Sequence, residues 1–139
     1  MSMVSKVVHT GKIRTTGGRE NGASRSSDGR LDIRFSTPGS ARIGTNPEQL
    51  FAAAWSACFE SAIALAAQKR KTVLPRGIAV DAEVDLNIAD DGHFLSARLN
   101  VSLPGIDSTT AQGLIDEAHD ICPYSKATRG NIEVVISLV

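Results

Sequence analysis

Length and composition predict one globular domain over residues 1–139, since the chain has 139 residues, 42% hydrophobic and 22% charged. Lys and Arg number 15 and Asp and Glu number 15, so no basic surface for nucleic acid is expected. The first residues show no apolar signal-peptide core, and the apolar stretches look too short for a bilayer, so a cytoplasmic protein without membrane contact is expected.

The first part of the chain predicts two strands and a long connection. Residues 7–15 are predicted as a strand, and Leu31–Phe35 alternates apolar and polar residues, as in a strand with one buried face. Residues 16–30 between them are rich in Gly, Ser and Arg and predict a long irregular loop. Such loops are functional or mobile, and a mobile, solvated hairpin loop is the simpler alternative.

A helix is predicted to begin at Asn46-Pro47-Glu48-Gln49. Asn is a good cap, Pro suits the first helical position, and Gln can complete a capping box. Small residues then lie nearly all round the helix until a polar end at residues 68–71. That distribution indicates a central helix that neighbouring elements approach closely.

The second half predicts a hairpin, a helix and a final strand. Residues 80–88 and 95–103 alternate around an Asp-Gly turn signal, which is typical of a β-hairpin. Residues 108–121 carry one apolar face and predict a helix that stops at Cys122, because Pro123 follows. Residues 132–139 predict the last strand. The fold class is therefore α+β, with helices packed on antiparallel sheet.

The chain has two cysteines, Cys58 inside the apolar helix and Cys122 just before a proline. In a reducing cytosol, a disulfide between them would be transient and catalytic more often than structural. Inert burial in the core is the alternative for each thiol. No metal site is expected: His119 and Cys122 have helical spacing, but the other histidines lie far away in sequence.

Several long segments together resemble the organic hydroperoxide resistance proteins, the Ohr branch of the Ohr/OsmC superfamily. The resemblance covers essentially the whole chain, in the right order. The matching segments are Thr16-Gly17-Gly18-Arg19, Ser27-Asp28-Gly29, Gly44-Thr45-Asn46-Pro47-Glu48-Gln49-Leu50-Phe51-Ala52-Ala53, Ala57-Cys58-Phe59, and Cys122-Pro123-Tyr124-Ser125 through Asn131-Ile132. The sequence departs from many relatives at Ala54-Trp55, at Lys126, and in a short stretch between Pro38 and Gly44.

The resemblance implies a thiol-dependent peroxidase that reduces organic or fatty-acid hydroperoxides to alcohols. It implies Cys58 as the peroxidatic residue and Cys122 as the resolving residue, joined in a disulfide during the cycle. It also implies an interwoven homodimer with antiparallel sheets around central helices. The expected reductant is dihydrolipoamide or a lipoylated protein, with no bound cofactor.

A peroxide is cleaved by a thiolate, and a free thiol is mostly protonated at neutral pH, so a cation near Cys58 is expected. The resemblance implies Arg19 for that role and Glu48 as the carboxylate that orients it. Glu48 and Cys58 are ten residues apart, which on a straight helix is about 15 Å of rise. Either the helix breaks between them or Glu48 acts from the partner subunit. Phe51 and Phe59 are predicted to contact an apolar substrate.

Two other functions stay open on the sequence alone. One is a peroxidase of the OsmC type with a different reductant or substrate. The other is a non-catalytic dimeric module that binds an apolar, acyl-type ligand and merely retains two cysteines. Loss of peroxide turnover in a Cys58→Ser variant separates the second alternative from a peroxidase.

Overall fold

The structure is a computed structural model that describes residues 4–139. It divides into two units, one up to Pro47 and one from Glu48 to Val139. The first unit holds an antiparallel sheet of order β1-β2-β3, formed by β1 (Ile13–Thr16), β2 (Ala23–Ser26) and β3 (Asp32–Arg34), with a one-turn helix α1 (Gly18–Asn21) between β1 and β2.

Two predictions for this unit were wrong in detail. The first strand begins at Ile13 and not at residue 7, and Val7 and Val8 are exposed. Residues 16–30 are not an irregular loop, because they contain α1 and β2. The tight turn around α1 depends on glycine: a Cβ on Gly22 would lie 2.3 Å from the carbonyl oxygens of Gly18 and Thr16.

The second unit contains the long helix α2 (Pro47–Lys69), whose first residue closes the first unit. A hairpin of β4 (Ala79–Ala89) and β5 (Gly92–Ser102) follows, then α3 (Ser108–Ile121), α4 (Pro123–Thr128) and β6 (Glu133–Leu138). The predicted hairpin, the bounds of α3 and the last strand are confirmed. The six-residue helix α4 was not predicted, because the pattern was taken to end at the proline that in fact begins it.

The α+β fold class is confirmed, but one part of the sheet differs from the antiparallel prediction. Strands β4 and β5 are antiparallel, whereas β6 pairs with β5 in parallel, with Ala97 opposite Val134 and Val101 opposite Leu138. The reason lies in the connection. Helices α3 and α4 carry the chain back along the sheet before β6 begins, and a crossover of this kind joins parallel neighbours.

The core of the second unit forms between α2, α3 and the inner face of the hairpin. Its members from α2 repeat every three or four residues, as the buried face of a helix does. The fully buried large side chains of the unit are Trp55, Phe59, Ile63, Leu99, Leu114, Ile115 and Val101. This packing confirms α2 as a helix with close neighbours.

Helix α2 also corrects the expectation that no apolar stretch is long enough for a bilayer. Within residues 4–139 it is the one helix that could cross a membrane by length and composition, with 23 residues and a mean hydropathy of 1.6. This is weak evidence for a span, because the core helix of a globular protein passes the same test. The core contacts of Trp55, Phe59 and Ile63 agree with that simpler explanation.

Candidate active site

Cys58 lies in the middle of α2, and Cys122 lies at the joint between α3 and α4. Cys58 is partly buried and packs against the core cluster, and Cys122 is fully buried within the same cluster. Both thiols are free. The backbone of Cys122 leaves helical geometry (φ −64°, ψ 125°), so this one residue ends α3 and caps α4.

Side chains next to the cysteines join α2 directly to α4. The indole Nε1 of Trp55 donates a hydrogen bond to Ser125 Oγ at 3.3 Å, and both side chains are fully buried. The ring of Phe51 meets Tyr124 edge to face, with centroids 6.3 Å apart. Trp55 precedes Cys58 by three residues and Ser125 follows Cys122 by three. The two cysteine-bearing segments therefore pack against each other.

The predicted aromatic substrate residues have different surroundings. Phe51 is partly buried and contacts both Trp55, with ring centroids 5.8 Å apart, and Tyr124. Phe59 is fully buried in the core, so its side chain packs against the protein and has no surface to offer a ligand. This burial argues against Phe59 as a substrate contact and leaves Phe51 as the candidate.

The two charged residues predicted for the site lie in different units of the chain. Arg19 is on α1 in the first unit, and Glu48 is in the first turn of α2. Helix α2 runs without interruption from Pro47 to Lys69, so the helix does not break between Glu48 and Cys58. A break in the helix is therefore excluded, and action of Glu48 from a partner subunit stays a prediction.

His119 and Arg129 lie at the C-terminal ends of the two helices that flank Cys122 in sequence, His119 in the last turn of α3 and Arg129 at the C-cap of α4. The guanidinium of Arg129 donates to the backbone carbonyl of His119, which places a positive charge at the C-terminal end of α3. Burial lowers the pKa of His119, and the charge of Arg129 lowers it further. Across residues 4–139, no three His, Cys, Asp or Glu side chains gather in a group that could hold a metal ion.

Sequence reasoning missed three residues that build this site. Trp55 was expected only in the core. The contacts of Tyr124 and Ser125 with α2 could not be predicted, because no hydrophobic periodicity marks these two residues. The three-residue spacing of Trp55 from Cys58 and of Ser125 from Cys122 is the one available hint, because residues three apart on a helix share a face.

Comparisons with known proteins identify the family of the chain. Residues 37–137 match the family model of the OsmC-like proteins. The chain belongs to the OsmC-like family, in its organic hydroperoxide resistance branch. It is 43% identical to the organic hydroperoxide resistance protein of Xanthomonas axonopodis pv. citri, with 99% of each chain covered. It is 36% identical to OhrA of Bacillus subtilis, with 97% of this chain and 99% of the relative covered.

Solved structures of the branch have the same fold. The crystal structure of OhrB of Bacillus subtilis superposes with a TM-score of 0.89 at 37% identity, covering 96% of this chain and 100% of the other. The organic hydroperoxide resistance protein from Legionella pneumophila gives a TM-score of 0.89 at 38% identity, with 96% and 98% covered. The family predicted from the cysteine motifs is thus confirmed.

Proposed function

We propose that this protein is a cysteine-based peroxidase that reduces organic hydroperoxides, including fatty-acid hydroperoxides, to alcohols. The observation that carries the proposal is the packing of the Cys58 segment of α2 against the Cys122 segment of α4, through Trp55 and Ser125. Cys122 lies in the apolar core cluster and the partly buried Cys58 packs against that cluster, and such surroundings suit reaction with an apolar peroxide. The names of the relatives support the same chemistry.

The proposed cycle has three balanced steps. The Cys58 thiolate attacks the terminal peroxide oxygen of ROOH, which breaks the O–O bond, and the departing alkoxide takes up a proton to give ROH. Cys58 is then a sulfenic acid. The Cys122 thiol attacks that sulfur, water leaves, and a disulfide forms. A dithiol reduces the disulfide through a mixed disulfide and is itself oxidised.

The remaining members of the cycle are part of this proposal. Arg19 holds the Cys58 thiolate, because a guanidinium stays charged when it loses water, and Glu48 orients that guanidinium through its fork. Phe51 contacts the alkyl chain of the substrate. The reductant is dihydrolipoamide or a lipoylated protein, and no cofactor or metal is bound. The protein works as a homodimer in the cytoplasm, without nucleic acid or membrane.

Peroxide consumption tests the core of the proposal. Purified protein is mixed anaerobically with an organic hydroperoxide and dihydrolipoamide, beside Cys58→Ser and Cys122→Ser. Turnover is expected in the wild type and none in Cys58→Ser. The Cys122→Ser variant should stop after about two equivalents of peroxide, because one forms the sulfenic acid and a second over-oxidises it. A wild type that consumes no peroxide, with an unreactive Cys58, would point instead to the acyl-binding module.

The reductant and the dimer need separate tests. If glutathione supports turnover as well as dihydrolipoamide does, the lipoyl part of the proposal fails and a peroxidase of the OsmC type remains. Co-expression of Glu48→Gln with Cys58→Ser tests the origin of Glu48. Mixed dimers regain activity only when Glu48 acts on the partner's site, because one site then holds an intact Cys58 and an intact Glu48. If they stay inactive while each dimer exchanges subunits, Glu48 acts within its own chain.

A further inference from the structure

A buried hydrogen bond joins the side chains of Trp55 and Ser125, two residues on different helices. Both side chains have no exposed surface, and their residues lie 70 positions apart in sequence. A buried indole N–H and a buried hydroxyl each cost free energy when they lack a partner, so each one fixes the place of the other. The bond therefore defines how α4 is seated on α2.

Helix α4 needs such an external anchor. It has six residues, fewer than two turns, and helices of that length do not hold together on their own. Its first turn carries Tyr124 and Ser125, the two residues that contact α2. Cys122 is the cap of the same turn, and its carbonyl accepts the backbone N–H of Lys126 at 3.0 Å. The position of α4 on α2 therefore also fixes the position of Cys122.

We propose that Trp55 and Ser125 form a positioning pair for the resolving thiol. Their bond holds the start of α4 against α2, so that Cys122 meets the sulfenic acid of Cys58 before a second peroxide does. This inference rests on the proposed peroxidase cycle. The competing reaction is Cys58–SOH + ROOH → Cys58–SO₂H + ROH, which consumes another peroxide and ends the cycle. The pair sets the outcome of this competition and touches neither peroxide nor reductant.

The test is the product ratio after oxidation. Reduced protein is treated with a fixed excess of organic hydroperoxide and no reductant, and intact-mass spectrometry measures sulfinic acid relative to disulfide. We expect Trp55→Phe and Ser125→Ala each to raise the ratio about tenfold, since each leaves a buried polar group without its partner. The double variant Trp55→Phe/Ser125→Ala removes both groups. Its ratio should stay near that of the single variants, well below the product of their effects.

The control is Val101→Ala, which weakens the same core at a residue of β5 and leaves the side chains of α2 and α4 unchanged. It should lower the unfolding temperature and leave the ratio at the wild-type value. The proposal is overturned if Val101→Ala raises the ratio as much as Trp55→Phe does, or if both single variants match the wild type. Should Trp55→Phe fail to fold, Ser125→Ala decides alone. A wild type that forms neither product on Cys58 overturns the peroxidase itself, which is a different result.

Discussion

Replacing Cys122 by two different small residues should separate its structural role from its chemistry. Cys122 is the cap residue of α4 but makes no side-chain hydrogen bond there. Its extended backbone geometry (φ −64°, ψ 125°) is the one that a capping side chain requires. A serine at this position therefore faces the backbone N–H groups of Tyr124 and Ser125, the second and third positions of the helix.

The magnitude follows from the cap. Both Cys122→Ser and Cys122→Ala remove the buried sulfur, so that loss cancels between the two variants. The serine can accept one N–H of the first turn and the alanine cannot, which is worth about 1 kcal/mol at a helix cap. For a domain of this size, that difference corresponds to about 3–4 °C in unfolding temperature. Cys122→Ser should be the more stable variant by that amount.

The assay is thermal unfolding of both variants under reducing conditions, with Cys58 intact. Neither variant has a resolving thiol, so both should over-oxidise at Cys58 to the same extent under peroxide. The two variants should therefore differ in unfolding temperature but not in the extent of Cys58 over-oxidation. An alanine variant that melts at or above the serine variant would refute the reasoning, because the serine hydroxyl would then be buried without reaching the cap.

Three further predictions concern charged and capping groups. Asp107 caps α3 by accepting the backbone N–H of Thr110 at 3.0 Å. Asp107→Ala should therefore lower the midpoint of urea unfolding, whereas Asp107→Asn, which can still cap, should not. Equal midpoints for the two variants would contradict this prediction. Hydrogen bonds from Arg98, then Ser96, lower the pKa of Asp85 to about 2. Its contribution to stability is thus present above the ordinary pKa of 3.8 and lost as pH falls towards 2, and an NMR titration of Asp85 should move back towards 3.8 in Arg98→Gln. The pKa of His119 is lowered in the folded state, so the unfolded chain takes up the proton first and stability falls as pH drops below about 6.5. His119→Asn should flatten the dependence of the unfolding free energy on pH in that range. A pH dependence that the variant leaves unchanged would exclude His119 as its cause.

Local patterns predicted the elements whose contacts are local. The alternation of residues 80–88 and 95–103 gave the hairpin because each strand buries one face, and the bounds of α3 followed from its apolar face and from Pro123. Elements that depend on distant contacts were missed. Helix α4 is too short to show a period, and the direction of β6 depends on the path of the crossover before it.

The candidate site divides in the same way. Motif resemblance named Cys58, Cys122, Arg19 and Glu48 without any geometry, and the family that it predicted is confirmed. It also predicted Phe59 as a substrate contact, which its full burial argues against. An apolar residue beside a cysteine can face the core or the cleft, and only the rotation of α2 about its axis decides which.

The sequence by itself determined the fold class, because hydrophobic periodicity predicts helices and strands. It also determined the family and identified Cys58 and Cys122 as the candidate reactive thiols, because long contiguous motifs surround both residues. The tertiary structure alone decided that α2 is unbroken, that β6 runs parallel to β5, and that Trp55 is bonded to Ser125. That bond joins residues 70 positions apart. A contact of that range arises only when packing brings two helices together, so no local pattern of either segment records it.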